Sequence, residues 1–479
     1  MRDEEVLDAV VVGGGPSGLF AMWRLATGGA RVALLEAGQD MRASLCSKVS
    51  ARMAGRSVRE AEKFRLQCHR CDCLTGIGGA AFHFDTNLGY VSGLSRSKLE
   101  ADAQGRVRTY SGLERALGSF ERAADAVADV YDHLVAFGVD MGTDAPATTT
   151  SAAPPAGFAL ADAAPSKAIT VDEAIGMLDA LVAQATAAGA VVHLGTRALT
   201  VERRADGVWE VRTPTGVVRA RHVVVGVGKL GLPWVESVLA ANHVVATSAP
   251  RVDVGVRLEL PAEIAEPLTA PCQNPKLTFL NAAAEPVRTF CVCERGRIMQ
   301  YAFEGAVVLD GQHCVTTPTS RTNIGVVTTV DVPAGVGGTD HAREFARRIT
   351  AAGQGLPVVQ PLLELLRRGR LAERPGTSLV RATWGDLAPL LGRDRVADVE
   401  EMADRLEEVA PGVVGPDTVV AAPVVERVFP SIELDGDMQS SAPGLFFVGD
   451  SSSKIIGVTY GAATGIVAAD AVLRKGPTS

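Results

Sequence analysis

No apolar run in the 479-residue sequence approaches the roughly 20 residues that a membrane-spanning helix requires, so no helical span is expected. Cysteine is scarce. Eight cysteines, scattered along a chain this long, are too few for a disulfide scaffold and predict reduced thiols in a cytoplasmic protein. An excess of positive charge is also missing. The 47 Lys and Arg against 55 Asp and Glu give a net charge of −8, which argues against a general affinity for nucleic acid or an anionic membrane. The opening stretch, MRDEEVLDAVVVGGG, places acidic rather than basic residues before a short apolar run, so a secretory signal is not expected. There are no internal repeats. What the chain does have is a 47% hydrophobic composition, enough to bury the cores of about two or three domains.

Ala9 to Val12 form a β-branched, apolar run of the kind that suits a parallel strand buried on both faces. Gly13-Gly14-Gly15-Pro16-Ser17-Gly18 follows, then a stretch with helical apolar spacing that stops at Gly28-Gly29. A second strand, Arg31 to Leu35, ends at Glu36. Each residue has a physical task in dinucleotide binding. Gly13 permits the tight turn, Gly15 and the neighbouring Pro16 and Ser17 let backbone approach a pyrophosphate, and Gly18 lets helix pack on strand. The helix N-terminus offers free N–H groups and a positive dipole end to phosphate. Glu36, twenty-three positions after Gly13 and followed by Ala37 rather than a basic residue, is placed to accept ribose hydroxyls.

This motif alone does not choose between FAD and NAD. Gly444 to Asp450 supply a second signal: a short apolar strand ending in Gly449-Asp450, followed by a small-residue helix from Gly457-Val458. With both ends in view, the sequence resembles the two-dinucleotide-fold, glutathione-reductase-like flavoproteins. That resemblance implies FAD, with Asp450 on its ribityl and phosphate end and the helix at Gly457-Val458 facing the flavin pyrimidine ring. It also implies adenine contacts near Ala198, and a return of the chain beneath the cofactor at Gly226 and Gly228.

Gly226, Gly228 and Gly231 form a second literal GxGxxG, but Pro233 follows at once and the next strand ends without an acid, so a separate NAD domain is not expected. NAD(P)H enters only as a possible transient electron donor. The expected fold is α/β: a discontinuous Rossmann-like FAD-binding domain (1–110, 165–244 and 420–479) with an inserted mixed α+β substrate domain at 245–419. A helical excursion and linker occupy 111–164, with Ala145 to Ala164 exposed. Within the insert, RVDVGVRLELP and TNIGVVTTVDVP read as strands, RTFCVCERGRIMQYAF as a hairpin, and HAREFARRITAAG, PVVQPLLELLRRG and RVADVEEMADRLEEV as helices.

Several fragments together also resemble a largely uncharacterised subfamily of bacterial FAD-dependent dehydrogenases. These are the cysteine cluster running into GIGGAAFHFDTNLG, DVGVRLELP, RTFCVCERGRI and GDSSSKIIGVTYGAATG. The departures from that subfamily's pattern, AAFHFDTNLG above all, fall where substrate would sit and imply a different substrate.

For the chemistry, Gly78 and Gly79 suit a loop lying against a planar ring. His83 and Asp85 follow it; His83 is a candidate acid or base, although a lone histidine equally serves as a structural hydrogen-bonder. Lys454 and Tyr460 flank the position of the flavin N1 edge and are the other catalytic candidates. Tyr301 and His313 line either a substrate pocket or ordinary core and surface. Cys68, Cys71 and Cys73 with His69 read as reduced structural thiols, a redox pair, or part of a metal site that Cys46, Cys291 or Cys293 would complete; no metal is expected. The functional expectation is an oxidoreductase that exchanges a hydride between flavin N5 and a small-molecule substrate. A flavin monooxygenase and a non-catalytic FAD-binding protein are the alternatives.

Overall fold

The computed structural model describes residues 5–40, 74–79, 86–89, 99–101, 107–109, 112–140, 158, 160–163, 166–270, 275–314, 318–379, 381–426, 428–453, 455 and 457–476. His83, Asp85, Lys454, Cys46, Cys68, His69, Cys71 and Cys73 lie outside the described residues.

Two sheets carry the fold. The first begins with β1 (Val6–Val12), whose last five residues are all buried. It continues through α1 (Pro16–Thr27) to β2 (Val32–Leu35), as the glycine-turn pattern predicts. After the helix α2 (Phe120–Ala136), the helix α3 (Val171–Ala187) starts with a Thr170–Glu173 capping box and leads into β3 (Val191–His193). Three more strands follow: β4 (Thr200–Arg203), β5 (Trp209–Thr213) and β6 (Gly216–Val225). The last of these, β6, runs unbroken for ten residues. It can do so because its two edges serve different partners. One edge pairs antiparallel with β5, and the other pairs parallel with β1 in register Val10↔Val223. The order is β3-β2-β1-β6-β5-β4, and a late strand returns to β6.

The second sheet is built around β7 (Arg251–Pro261), β8 (Pro275–Leu280) and β9 (Pro286–Cys293). Next come β10 (Arg297–Phe303) and β11 (Ala306–Gln312), then β12 (Arg321–Asp331), β13 (Val358–Pro361) and β14 (Val419–Glu426). Its order is Thr383–Trp384, β13, β14, β7, β12, β9, β8, Leu160–Ala163. The helix α4 (Leu232–Ala241) follows the second glycine turn, and α5 (Gly338–Ala352) and α6 (Arg393–Val409) fall at the expected places.

Four expectations need correction. RTFCVCERGRIMQYAF is not a hairpin: β9 pairs with β8 and β12, whereas β10 pairs with β11. The hairpin turn sits instead at Glu304-Gly305, both at positive φ, as a two-residue turn between twisted strands demands. PVVQPLLELLRRG is not one helix. Pro357 and Pro361 bracket two valines, the segment pairs with β14, and only Leu362–Leu365 turn helically. Leu160–Ala163, placed in the exposed linker, form an edge strand beside β8. The strand β14 crosses the expected limit at residue 419; all eight of its residues are buried in the middle of the second sheet, where a both-faces-covered strand belongs.

The chain then returns to the first sheet through β15 (Leu445–Phe447), parallel to β6, and finishes with α7 (Val458–Arg474), packed against α1. Among the described residues no helix is long and apolar enough to cross a membrane.

Candidate functional site

The turns at both ends of the first sheet meet. Gly13 has φ +107, and a Cβ on it would stand 2.6 Å from the Gly226 carbonyl oxygen. A Cβ on Gly18 would lie 1.9 Å from the Gly13 carbonyl oxygen, so α1 sits on β1 at a distance only glycine allows. A Cβ on Gly449 (φ +59) would lie 2.5 Å from Ser17 Oγ. Gly13, Ser17, Gly18, Gly226 and Gly449 are thus brought into one contact point from three separate stretches of chain. Gly228, also expected here, is exposed two residues beyond Gly226. Gly15 is different: the nearest atom to a Cβ there is 3.8 Å away. The Gly76–Gly79 loop lies alongside, with Gly78 N–H donating to the Gly14 carbonyl at 2.8 Å and a Gly79 Cβ 3.2 Å from Gly15 Cα.

Glu36 stands at the end of β2 and is 7% exposed. Its carboxylate accepts from the N–H groups of Gly14 (2.6 Å), Gly38 (2.7 Å) and Gly76 (2.9 Å), which draws three loops to one point. Ala37 beside it is exposed, and the Thr196 N–H donates to the Glu36 carbonyl at 2.8 Å, bringing the loop that contains Ala198 to the same end of the sheet. Ala198 itself is buried in the core that includes Leu35.

Two helix N-termini point into this region without side-chain caps. α1 has Gly15 as N-cap and Pro16 in its first turn; α7 has Gly457 as N-cap at φ +113. Their first-turn N–H groups are the orphan donors that bind anions at helix starts. Thr459, in the first turn of α7, is 1% exposed and its hydroxyl has no hydrogen-bond partner among the described residues. Val458 is buried and Tyr460 half-buried beside it. A cradle of glycines, two uncapped helix starts and an orphaned buried hydroxyl fit a pyrophosphate-bearing cofactor.

A second group of residues, mostly invisible to sequence reasoning, lies at the seam between the sheets. Lys229 follows the Gly226–Gly228 turn. Its ammonium donates to the Tyr301 hydroxyl at 3.0 Å, to the Val425 carbonyl at 3.3 Å, and to the Glu426 carboxylate in a tight ion pair. Asp310 and Asp450 lie within electrostatic reach of the same ammonium. Burial pushes Glu426 up to about 7; Lys229 opposes the rise, and Asp310 and Asp450 reinforce it. Burial likewise raises Asp310 and Asp450. Burial works against the Lys229 charge too, but Glu426, Tyr301 and Asp310 outweigh it and hold Lys229 well above its ordinary value. One ammonium faces three carboxylates, so the group retains a proton near neutrality.

Next to this group, the fully buried Arg257 donates from Nε to Asn323 at 2.7 Å and from Nη2 to the Cys291 carbonyl at 2.5 Å, and stands 3.6 Å from Asp310. Of the residues marked in the sequence, Tyr301 is buried against Lys229, and His313 lies 3.7 Å from Cys293 Sγ. Lys229, Arg257, Asp310 and Glu426 were missed. For Glu426 a signal existed: it is the one charge in the otherwise apolar β14, and a charge there demands a buried partner.

Parallel strands, crossing glycine turns and an acid at the second strand define a dinucleotide-binding α/β protein. Residues 8–273 match the family described as DAO, FAD dependent oxidoreductase. The chain belongs to that family, and it is an FAD-dependent oxidoreductase. Among solved structures it is similar to NikD, described as an unusual amino acid oxidase essential for nikkomycin biosynthesis (15% identity, 99% of this chain and 96% of that one, TM-score 0.40). It is also similar to glycine oxidase from Geobacillus kaustophilus (15% identity, 98% and 96%, TM-score 0.41) and to CtdE in complex with FAD (9% identity, 97% and 83%, TM-score 0.32). No curated protein matches the sequence. The second GxGxxG opens no further nucleotide fold: Ala246–Thr247, after α4, pair antiparallel with Ser431–Ile432.

Proposed function

We propose that FAD lies across the glycine cradle, with its reactive ring turned towards the Lys229–Glu426 seam, and that the enzyme is a dehydrogenase of the glutathione-reductase-like kind. It would then be close to the bacterial FAD-dependent dehydrogenases. FAD supplies two-electron, hydride-accepting or hydride-donating chemistry at N5. The protein does the rest. The α1 start, with Gly13, Gly15, Pro16, Ser17 and Gly18, receives the diphosphate, and Glu36 with Ala37 receives the ribose. Ala198 marks the adenine end, and Gly78 and Gly79 lie along the cofactor. Gly226, Gly228, Gly449 and Asp450 hold the ribityl side. The α7 start at Gly457-Val458 sets its positive dipole end, with the Thr459 hydroxyl, where negative charge develops. His83, Lys454 and Tyr460 remain candidate catalytic residues. A small organic substrate enters from the second-sheet side, where Glu426 holds or releases its proton and Lys229 orients the carboxylate.

The observation that carries this reading is that the buried ion pair stands within electrostatic reach of Asp450, in the turn that follows the cofactor-side strand β15. Such a poised group beside a cofactor suits proton transfer near pH 7. Anaerobic mixing with reduced organic substrates, and separately with NAD(P)H, tests it. Bleaching by a substrate, with peroxide released on re-aeration, supports the dehydrogenase. Oxygen uptake that requires NAD(P)H favours a monooxygenase, and a flavin that nothing reduces favours a structural cofactor. Replacing Glu36 by alanine should raise the FAD dissociation constant by about tenfold to a hundredfold, through lost charge-assisted contacts. Flavin fluorescence titration would read this, and an unchanged constant would remove the ribose from Glu36.

A further inference from the structure

Cys291 and Cys293 lie on β9, which a regular strand would keep well apart. Alternate residues on one strand face stand roughly 6.5 Å apart. Here the two Sγ atoms are 3.6 Å apart. The cause is a bulge. On β12, Gly325 pairs with Phe290 and Asn323 with Cys293, so only Ile324 faces both Cys291 and Val292. Cys291 takes φ +43 to make this possible, a conformation few non-glycine residues adopt.

His313, just past β11, completes the group, with its Nε2 3.7 Å from Cys293 Sγ. The three ligand atoms lie within 4.8 Å of one another. The separations have a specific meaning. With zinc–sulfur bonds near 2.3 Å and zinc–nitrogen bonds near 2.0–2.1 Å, tetrahedral coordination sets sulfur–sulfur at about 3.8 Å and sulfur–nitrogen at about 3.5 Å. A disulfide would instead need about 2.0 Å between the sulfurs. Surrounding backbone closes on Cys293: a Cβ on Gly311 would lie 2.5 Å from its sulfur, and one on Gly296 would lie 2.8 Å from its Cβ. The nearby cations are already committed. Arg257 holds Asn323, the Cys291 carbonyl and Asp310, while Lys229 holds Glu426, and Asp310, Glu426 and Asp450 outnumber them.

We propose that Cys291, Cys293 and His313 bind one zinc ion through two thiolates and an imidazole, leaving the fourth position to water or a substrate heteroatom. Two sulfurs and one nitrogen suit Zn²⁺, while iron–sulfur clusters call for four protein ligands. Binding displaces the two thiol protons to solvent. The site stands whether or not the flavin reading is right, since none of its ligands belongs to the cofactor cradle.

The test uses full-length, FAD-loaded protein. Zinc is measured by elemental analysis, and Co²⁺ is then exchanged in as a spectroscopic probe. The expected result is about one zinc per chain and an intense thiolate-to-cobalt charge-transfer absorption. Cys291→Ser, Cys293→Ser and His313→Gln should each weaken binding by at least about a hundredfold, with flavin absorbance unchanged. Cys314→Ser, a buried neighbour outside the triad, should retain the metal, as should a Cys68→Ser/Cys71→Ser/Cys73→Ser variant. If the serine variants fail to fold, His313→Gln and the wild-type cobalt spectrum decide. Protein that takes up no zinc, metal that leaves with the Cys68 group, or thiol titration showing a Cys291–Cys293 disulfide each overturns the proposal.

Discussion

Gly15→Ala is expected to give a protein that folds normally but comes off the column nearly colourless, whereas Gly18→Ala loses stability and flavin together. The contrast follows from what each new methyl would meet. At position 18 it would stand 1.9 Å from the Gly13 carbonyl oxygen and 3.3 Å from Val11 Cγ1. Gly13 cannot yield, because its N–H donates to Leu35 at 2.9 Å and its own Cβ position is closed by Gly226. α1 must therefore lift from β1. Overpacking against rigid backbone costs about 3 kcal/mol or more. The disturbance also spreads to α7, since a Gly465 Cβ position is 2.1 Å from the Ser17 carbonyl oxygen. At position 15 the nearest atom is 3.8 Å away and φ is −74, which alanine adopts freely. Among the described residues nothing lies close enough for that methyl to displace, so its effect should fall on a ligand. Thermal unfolding of the apoproteins, which removes the stabilisation FAD itself gives, should leave Gly15→Ala near wild type and lower Gly18→Ala by several degrees. FAD content should fall at least about tenfold in both. A yellow Gly15→Ala protein with wild-type affinity would show that no diphosphate passes over this residue.

The same residues show how far sequence carries. The glycine turn, Glu36 and the Gly449-Asp450 strand were legible because each solves a local problem: a positive φ, a close approach or a strand end. Local solutions leave local marks. The strand β14 was misplaced at a domain limit because a uniformly buried strand has no alternation to show which sheet it joins. The bulge at Cys291 was unreadable for a similar reason, since it depends on the register against β12. The seam group was the hardest. Lys229, Tyr301, Asp310 and Glu426 come from four separate segments, and what makes them a site is mutual burial that no single segment displays.

Replacing Lys229 by methionine should be the most damaging change at that seam, and its damage should depend on pH. Glu426 is 4% exposed, and Lys229 is the residue that holds it. Removing one partner of a buried pair costs about 3–5 kcal/mol, because the other charge is left without compensation. Protonation offers Glu426 an escape. Its folded-state pKa, already raised to about 7, must climb further once the lysine is gone, because Lys229 is the influence that lowers it. The sign follows from proton counting. Between the unfolded value of about 4.3 and the folded value, the native state binds the extra proton, so stability falls as pH rises through that window. Wild type loses this contribution by about pH 7, whereas in the variant the window extends further upward. Thermal melts should therefore show a deficit for Lys229→Met that is small near pH 5.5 and large near pH 8. Adding Glu426→Gln should recover much of the alkaline loss, since no charge is then stranded. An ionisation near 7 is expected in the wild-type kcat/KM profile and should be absent from Glu426→Gln alone. Equal deficits at both pH values would mean that Glu426 does not carry the charge Lys229 neutralises, and would remove the proton-handling role from the seam.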